Sequence, residues 1–238
     1  MRRLLPPLLV LLAAAPLHAQ QASAPLQDFD LSGGIVAMSD YRFRGVSRSD
    51  EDPALQGNLT LSHTSGLYTG VTATTLRTGG GPDFGDGEFD LYAGWRGALG
   101  RGFDLDAGLT YYAFAGAAGH ADLAEPYASI GYLIGPAQFA AGARYAPSQR
   151  GTGDEDRLYL FGQASVDLPG RPIAFTAEAG RQDWGRFGSY WNWSLGARYR
   201  IAIARRTAAE IGLRYVDTDL PSTRGQDAGL LLSAALRF

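Results

Sequence analysis

The stretch Trp191-Asn192-Trp193-Ser194-Leu195-Gly196-Ala197-Arg198-Tyr199-Arg200 decides the fold. Trp191, Trp193, Leu195, Ala197 and Tyr199 take every second position, and Asn192, Ser194, Arg198 and Arg200 lie between them. Successive side chains on a strand point to opposite faces, so this run predicts one apolar face and one polar, charged face. A helix would scatter both sets around its circumference.

The same alternation recurs along the chain. Phe29, Leu31, Gly33, Ile35 and Ala37 form one such set; Leu55, Gly57, Leu59 and Leu61 another. Phe89 to Trp95, Phe103 to Leu109, Leu158 to Val166, Ala209 to Tyr215 and Leu230 to Phe238 repeat it. Segments near Leu67–Leu76, Tyr127–Ile134, Gln138–Tyr145 and Ile173–Arg181 also read as strands, with less clear facing. The sum is about twelve strands. Short breaks at 64–66, 100–102, 135–136 and 169–172 alternate with long polar ones at 47–53, 77–87, 116–123, 147–156, 183–188 and 217–227. Strict exchange of short and long connections is the layout of a transmembrane β-barrel, with short periplasmic turns and long external loops. The expected fold is therefore all-β: an antiparallel up-and-down barrel with periplasmic termini. The break near Ala202–Arg206 is the weakest turn signal.

Composition agrees and excludes much else. The 238 residues include no Cys and 32 Gly, and every basic residue is Arg. Without Cys there is no disulfide framework, Cys zinc site or thiol nucleophile. A net charge of −3 without a basic run argues against nucleic acid as a partner. So much Gly disfavours a helical bundle. Met1-Arg2-Arg3, the apolar Leu4–Leu17 and Leu17-His18-Ala19 have the order of a signal peptide. Residues 1–19 are thus expected to be cleaved, with Ala22 and Ala24 as weaker alternatives. Residues 20–28 then form a periplasmic segment and 29–238 the barrel.

A soluble sandwich or lipocalin-like barrel would show the same alternation. Three features favour the membrane. The polar face carries more charge than a packed core could satisfy. Aromatic residues recur near strand ends (Phe29, Tyr41, Phe43, Phe89, Trp95, Phe103, Trp191, Tyr199 and Tyr215), as interfacial girdles do. The chain ends on Phe238, with Leu236 and Leu232 on the same parity, the form of terminal strand that barrel assembly machinery reads.

The stretch Ser39-Asp40-Tyr41-Arg42-Phe43-Arg44-Gly45-Val46-Ser47 resembles the TorF family of porins, also described as conserved hypothetical outer-membrane proteins. Pro53–Gly57, Glu88–Trp95 and Tyr215–Asp219 match less specifically. The resemblance spans most of the expected barrel. It implies a bacterial outer-membrane barrel with a pore role, and no particular solute.

The charges on the polar parity are the candidate site: Asp40, Arg42, Arg44, Glu88, Asp90, Arg96, Asp104, Asp106, Arg144, Arg198, Arg200 and Arg214. One wall is expected to carry Arg198, Arg200, Arg214, Arg237, Arg42 and Arg44, with Asp30, Asp40 and Glu210. The opposite wall carries Glu88, Asp90, Asp104 and Asp106 around Arg96. Such walls would set a transverse field that orients polar solutes. Alternatively the charges pair locally and plug the barrel. Asp40 to Arg44 likewise read either as a selectivity ring at the outer mouth, or as Tyr41 and Phe43 anchoring the interface while Asp40 pairs with an Arg.

Enzyme readings are weak. Ser62 and His63 face opposite sides of a strand, and no His–Ser pairing at matching height is evident. Gly79-Gly80-Gly81 lacks the Lys and helix of a phosphate cradle. No cofactor and no metal site is expected. The acidic loop clusters Asp50-Glu51-Asp52, Asp83 with Asp86, Asp154-Glu155-Asp156, and Asp217 with Asp219 and Asp227 serve solubility or bridge cations to lipopolysaccharide. The expected function is a porin-like channel for small hydrophilic solutes or ions, in contact with outer-membrane lipid. The runner-up is a closed structural or adhesive barrel.

Overall fold

The computed structural model describes residues 28–77 and 84–238. The expected signal peptide, residues 20–27, the Gly79–Gly81 loop tip and Asp83 lie outside these. The first strand, β1 (Phe29–Met38), is followed by a small inner hairpin of β2 (Arg42–Phe43) and β3 (Val46–Ser47). Then come β4 (Ala54–His63), β5 (Leu67–Thr75), β6 (Gly87–Gly100), β7 (Phe103–Ala115), β8 (Leu123–Ile134) and β9 (Ala137–Ala146). The last five are β10 (Arg157–Asp167), β11 (Ile173–Asp183), β12 (Ser189–Ala204), β13 (Thr207–Thr218) and β14 (Gly229–Arg237). β1 and β4 to β14 form one closed barrel of twelve strands. All its pairs are antiparallel, and β14 closes on β1 with Ile35 opposite Leu236.

Period-two alternation holds around the wall. Leu31, Ile35, Leu59, Leu91, Leu160, Leu195, Ile211, Leu232 and Leu236 all point outward and lie 45–62% exposed. In a water-soluble protein a continuous apolar belt of this size would drive aggregation. Strands of 9 to 16 residues are long enough to cross a bilayer when tilted. The belt is the lipid-facing surface of a transmembrane barrel. Closure leaves no strand edge with unpaired backbone groups, as a hydrocarbon setting demands. Tyr111, Tyr145, Trp191 and Tyr215 stand outward near one rim. Phe29, Phe103, Tyr199 and Phe238 do so near the other.

The two ends differ. Residues 64–66, 101–102, 135–136, 168–172 and 205–206 make short turns at the end that holds Phe29 and Phe238. The longer connections, 39–53, 76–77 with 84–86, 116–122, 147–156, 184–188 and 219–228, lie at the opposite loop end. The expected turn near Ala202–Arg206 is a tight one, with a register shift between Ala202 and Ala204. Two strand limits depart from expectation. β8 begins at Leu123 rather than Tyr127: Leu123 to Pro126 pair with β7 alone, and pairing with β9 starts at Tyr127, past the proline that has no N–H to donate. The alternation at 39–47 does not prolong β1.

Inside, several tyrosines lie against glycines of the neighbouring strand. A β-carbon on Gly94 would stand 2.6 Å from the Tyr68 hydroxyl, and one on Gly108 2.7 Å from that of Tyr127. Gly70 under Tyr92 (2.5 Å) and Gly180 under Tyr159 (2.2 Å) repeat the arrangement. The glycine bares the strand backbone and the ring covers it, the cross-strand pairing known as aromatic rescue. Four of the 32 glycines are therefore space for lumen tyrosines.

Candidate functional site

The loop-end half of the lumen is built around the chain between β1 and β4. Arg44 and Gly45 join β2 to β3 with φ of 52° and 87°. A two-residue connection with positive φ at both positions is the tight turn whose twist suits a hairpin. The turn folds inward, not along the wall. A β-carbon at Gly45 would lie 2.5 Å from Thr218 Cγ2 and 2.9 Å from Asn192 Cβ, so the tip touches β13 and β12.

Arginines fasten this hairpin to strands all round the barrel. Arg44 donates to both Glu125 oxygens on β8, at 2.6 and 2.7 Å, and to Gln182 Oε1 on β11 at 2.5 Å. Tyr112 also donates to Glu125, and Arg144 approaches it to 3.8 Å. Arg48 meets Glu88 on β6 at 2.5 Å, and Glu88 is fully buried. Arg42 donates to Asp40 at 2.7 Å and to the Asp227 carbonyl. Ser47 and Ser49 donate to the same Asp40 carboxylate at 2.5 and 3.0 Å. The guanidinium groups of Arg44 and Arg48 lie 4.6 and 3.6 Å from the centre of the Phe43 ring. Phe43 and Tyr41 in turn pack on the buried cluster of Leu76, Tyr112, Phe114, Leu123 and Ala146. Burial and the neighbouring Glu88 push the Tyr41 phenol well above its ordinary pKa. Burial opposes the charge on Arg48, yet Glu88 and Tyr41 outweigh it and raise the guanidinium pKa.

These positions correct the sequence expectation. Tyr41 and Phe43 face the interior, not a lipid interface. Arg42 stays beside β14, its guanidinium against Gly229, whereas Arg44 is carried across to Glu125 on β8. Alternating residues read alike whether the segment continues a strand or turns inside; only Arg44-Gly45 hinted at a turn. Glu125 was masked by Pro126, and Arg48 by lying where a polar loop was expected.

The turn-end half keeps its charges on the wall. Arg96 pairs with Asp106 at 2.5 Å, and Tyr68 donates to the same carboxylate. Asp104 rests over Gly131. Across the lumen Arg237 pairs with Glu210 at 3.0 Å, and Arg198 approaches Asp167 at 3.7 Å. Arg200 is the register partner of Glu210, and Arg214 lies over Gly196. Asp90 lies between the halves, one of its oxygens buried without a partner among the described residues. With Tyr68, Arg96, Asp106, Tyr127 and Arg144 it lines a cavity of about 300 Å³. A larger cavity of about 680 Å³ opens on the loop side of the hairpin.

Other sequence expectations meet plain outcomes. Asp50, Glu51 and Asp52 are engaged by arginines: Arg224 lies 3.0 Å from Asp50, Arg42 3.6 Å from Glu51 and Arg77 3.1 Å from Asp52. Glu155 similarly meets Arg186 at 3.1 Å. His63 Nδ1 does come within 2.7 Å of a serine hydroxyl, that of Ser65, inside the first turn. The same nitrogen accepts the Ser65 backbone N–H and the ring rests on Phe29, so the pair closes a turn.

A family model described as "Bacterial protein of unknown function (Gcw_chp)" matches residues 19–230. The chain belongs to this Gcw_chp family. No curated protein matches it in sequence. Among solved structures this Gcw_chp barrel is similar to the NanC porin in a rhombohedral crystal form. That pair has a TM-score of 0.58 at 10% identity, covering 88% of this chain and 99% of the other. It is similar to the KdgM porin with a TM-score of 0.58 at 7% identity, covering 87% and 98%. The KdgM porin in complex with disordered oligogalacturonate gives 0.58, 7%, 88% and 98%. These likenesses concern the fold.

Proposed function

We propose that this Gcw_chp protein is a bacterial outer-membrane, porin-like channel through which small hydrophilic solutes or ions pass by diffusion, and that it is not an enzyme. The observation that carries this is the inversion of the ordinary protein plan: an apolar belt outside and rows of Arg, Asp, Glu and Tyr inside a closed wall. A charged interior is costly unless water reaches it, and the turn-end arginines Arg96, Arg198 and Arg237 are about half-exposed within the lumen. In this reading residues 1–19 direct export, the termini and short turns face the periplasm, and the long loops face outward toward lipopolysaccharide. Phe238, Leu236 and Leu232 present the terminal strand to the assembly machinery. The TorF resemblance and the porin-like fold support the reading, and the oligogalacturonate named for one KdgM structure is a polar solute of the kind intended. Asp40, Arg42, Arg44, Arg48, Glu88 and Glu125 would form the constriction. Asp90, Arg96, Asp104, Asp106, Arg144, Arg198, Arg200 and Arg214 would set ion preference along the path.

A second reading has its own observation. The Arg44–Glu125 and Arg48–Glu88 pairs pin the hairpin across the bore, as a closed structural or adhesive barrel would require. Single-channel recording of purified protein in a planar bilayer separates the two. Steady, uniform current steps are expected of the channel. Silence through repeated insertions, with the barrel shown folded by its heat-sensitive gel mobility, would leave only the closed barrel.

A further inference from the structure

The side chain of Arg157, the first residue of β10, is a cation with no ion-pair contact among the described residues. It is 9% exposed, and its Nε has no hydrogen-bond partner among the described residues. Its hydrogen bond is a long one, 3.4 Å from Nη2 to the Gly151 carbonyl, and its guanidinium stacks 3.5 Å from the centre of a Trp184 ring. No described carboxylate lies within ion-pair distance of it, whereas Arg44, Arg48, Arg224 and Arg77 all have one. Burying a charge without a counter-charge is expensive, which makes an absent anion the economical explanation.

The position fits a ligand. Arg157 lines the 680 Å³ cavity at the loop mouth, on the loop side of the hairpin. The one carboxylate among the lining residues, Asp50, is already held by Arg224 at 3.0 Å. Three further arginines line it, Arg48, Arg77 and Arg224, each paired with a carboxylate of its own, and aromatic and apolar side chains such as Phe43, Trp184 and Phe187 supply most of the exposed surface. A pocket whose exposed surface is largely apolar and whose other arginines are already neutralised leaves one free cation among the described residues, and so selects an apolar body with a single anionic group. A guanidinium beside such a lining suits a carboxylate, which it can grip with paired donors.

We propose that this mouth cavity binds a small organic carboxylate with an apolar ring or chain, its carboxylate on Arg157 and its body among Trp184, Phe187 and Tyr190. For transport the proposal rests on the channel reading and names its solute class; for binding it stands alone. The test is calorimetry on the complete barrel in lipid nanodiscs, with 2-naphthoate and its neutral relative 2-naphthamide as probes. Naphthoate is expected to bind about tenfold more tightly than naphthamide, the worth of a charge-assisted contact. Arg157→Gln should erase that difference and Arg157→Lys should keep part of it. Equal binding of the two probes to the unaltered protein would overturn the proposal without need of any variant. So would an undiminished preference in a folded Arg157→Gln barrel. A barrel silent in bilayers that still prefers naphthoate through Arg157 would refute the channel and uphold the site. A conducting barrel that binds neither probe would do the reverse.

Discussion

The two halves of this lumen use the same residue types to opposite effect. At the loop end, Arg44–Glu125 and Arg48–Glu88 are dry, with side chains 7% exposed or less. At the turn end, the arginines of Arg96–Asp106 and Arg237–Glu210 are 63% and 49% exposed above carboxylates at 14% and 12%, and Arg198–Asp167 is open on both sides at 44% and 73%. The difference is made by residues 39–53, which fold into one half and not the other. Charge count therefore says little about a barrel interior; solvent decides whether an ion pair is a fastener or a field. Breaking a dry pair strands the remaining charge, whereas breaking a wet one hands it to water.

Substitutions can press on that contrast. Glu88→Gln should act most strongly, because Arg48 would lose its partner inside a closed cluster. The expected cost is about 3–5 kcal/mol, read as a lower melting temperature together with larger, noisier conductance steps. An unchanged melt and unchanged steps would mean that this pair does not hold the hairpin. Gly45→Val should come next, since it adds a β-carbon at positive φ where Thr218 already stands. About 1–3 kcal/mol is expected, while Gly100→Ala at an open turn with φ of 90° should cost about 1 kcal/mol. Equal melting shifts for the two would argue against tip packing. Arg96→Gln should change stability by no more than about 1 kcal/mol, yet move the reversal potential in a KCl gradient toward cation preference. A large melting loss with no change in potential would reverse the roles assigned to the halves. Salt should have the smallest effect. Raising KCl from about 0.1 to 1 M shortens the screening length from about 10 to 3 Å. That should weaken ion preference set at the turn end and leave the melt nearly unmoved.

The barrel itself was legible in the sequence. Trp191 to Arg200, and the runs like it, need only period two to be read, and lipid enforces that period on every strand. Turn lengths then gave the order of ends. The hairpin was not legible, for a specific reason. Asp40, Arg42 and Arg44 keep the parity of a strand, and Tyr41 and Phe43 sit where girdle aromatics would. Parity records two environments, apolar and polar. It does not distinguish a polar wall from a polar segment that has left the wall. Arg157 keeps the polar parity and reads as a lumen residue, but its lack of an ion pair among the described residues, like the pairing of Glu125 with Arg44, is a property of three dimensions.

The tyrosines resting on glycines carry a consequence for gauge. A phenol laid along the wall takes less of the bore than one standing toward the axis. Each glycine beneath Tyr68, Tyr92, Tyr127 or Tyr159 thus acts as a recess that widens the tube locally. The calibre of this barrel is set partly by what its strands leave out, and replacing those recesses with alanine would narrow the tube without altering a single charge.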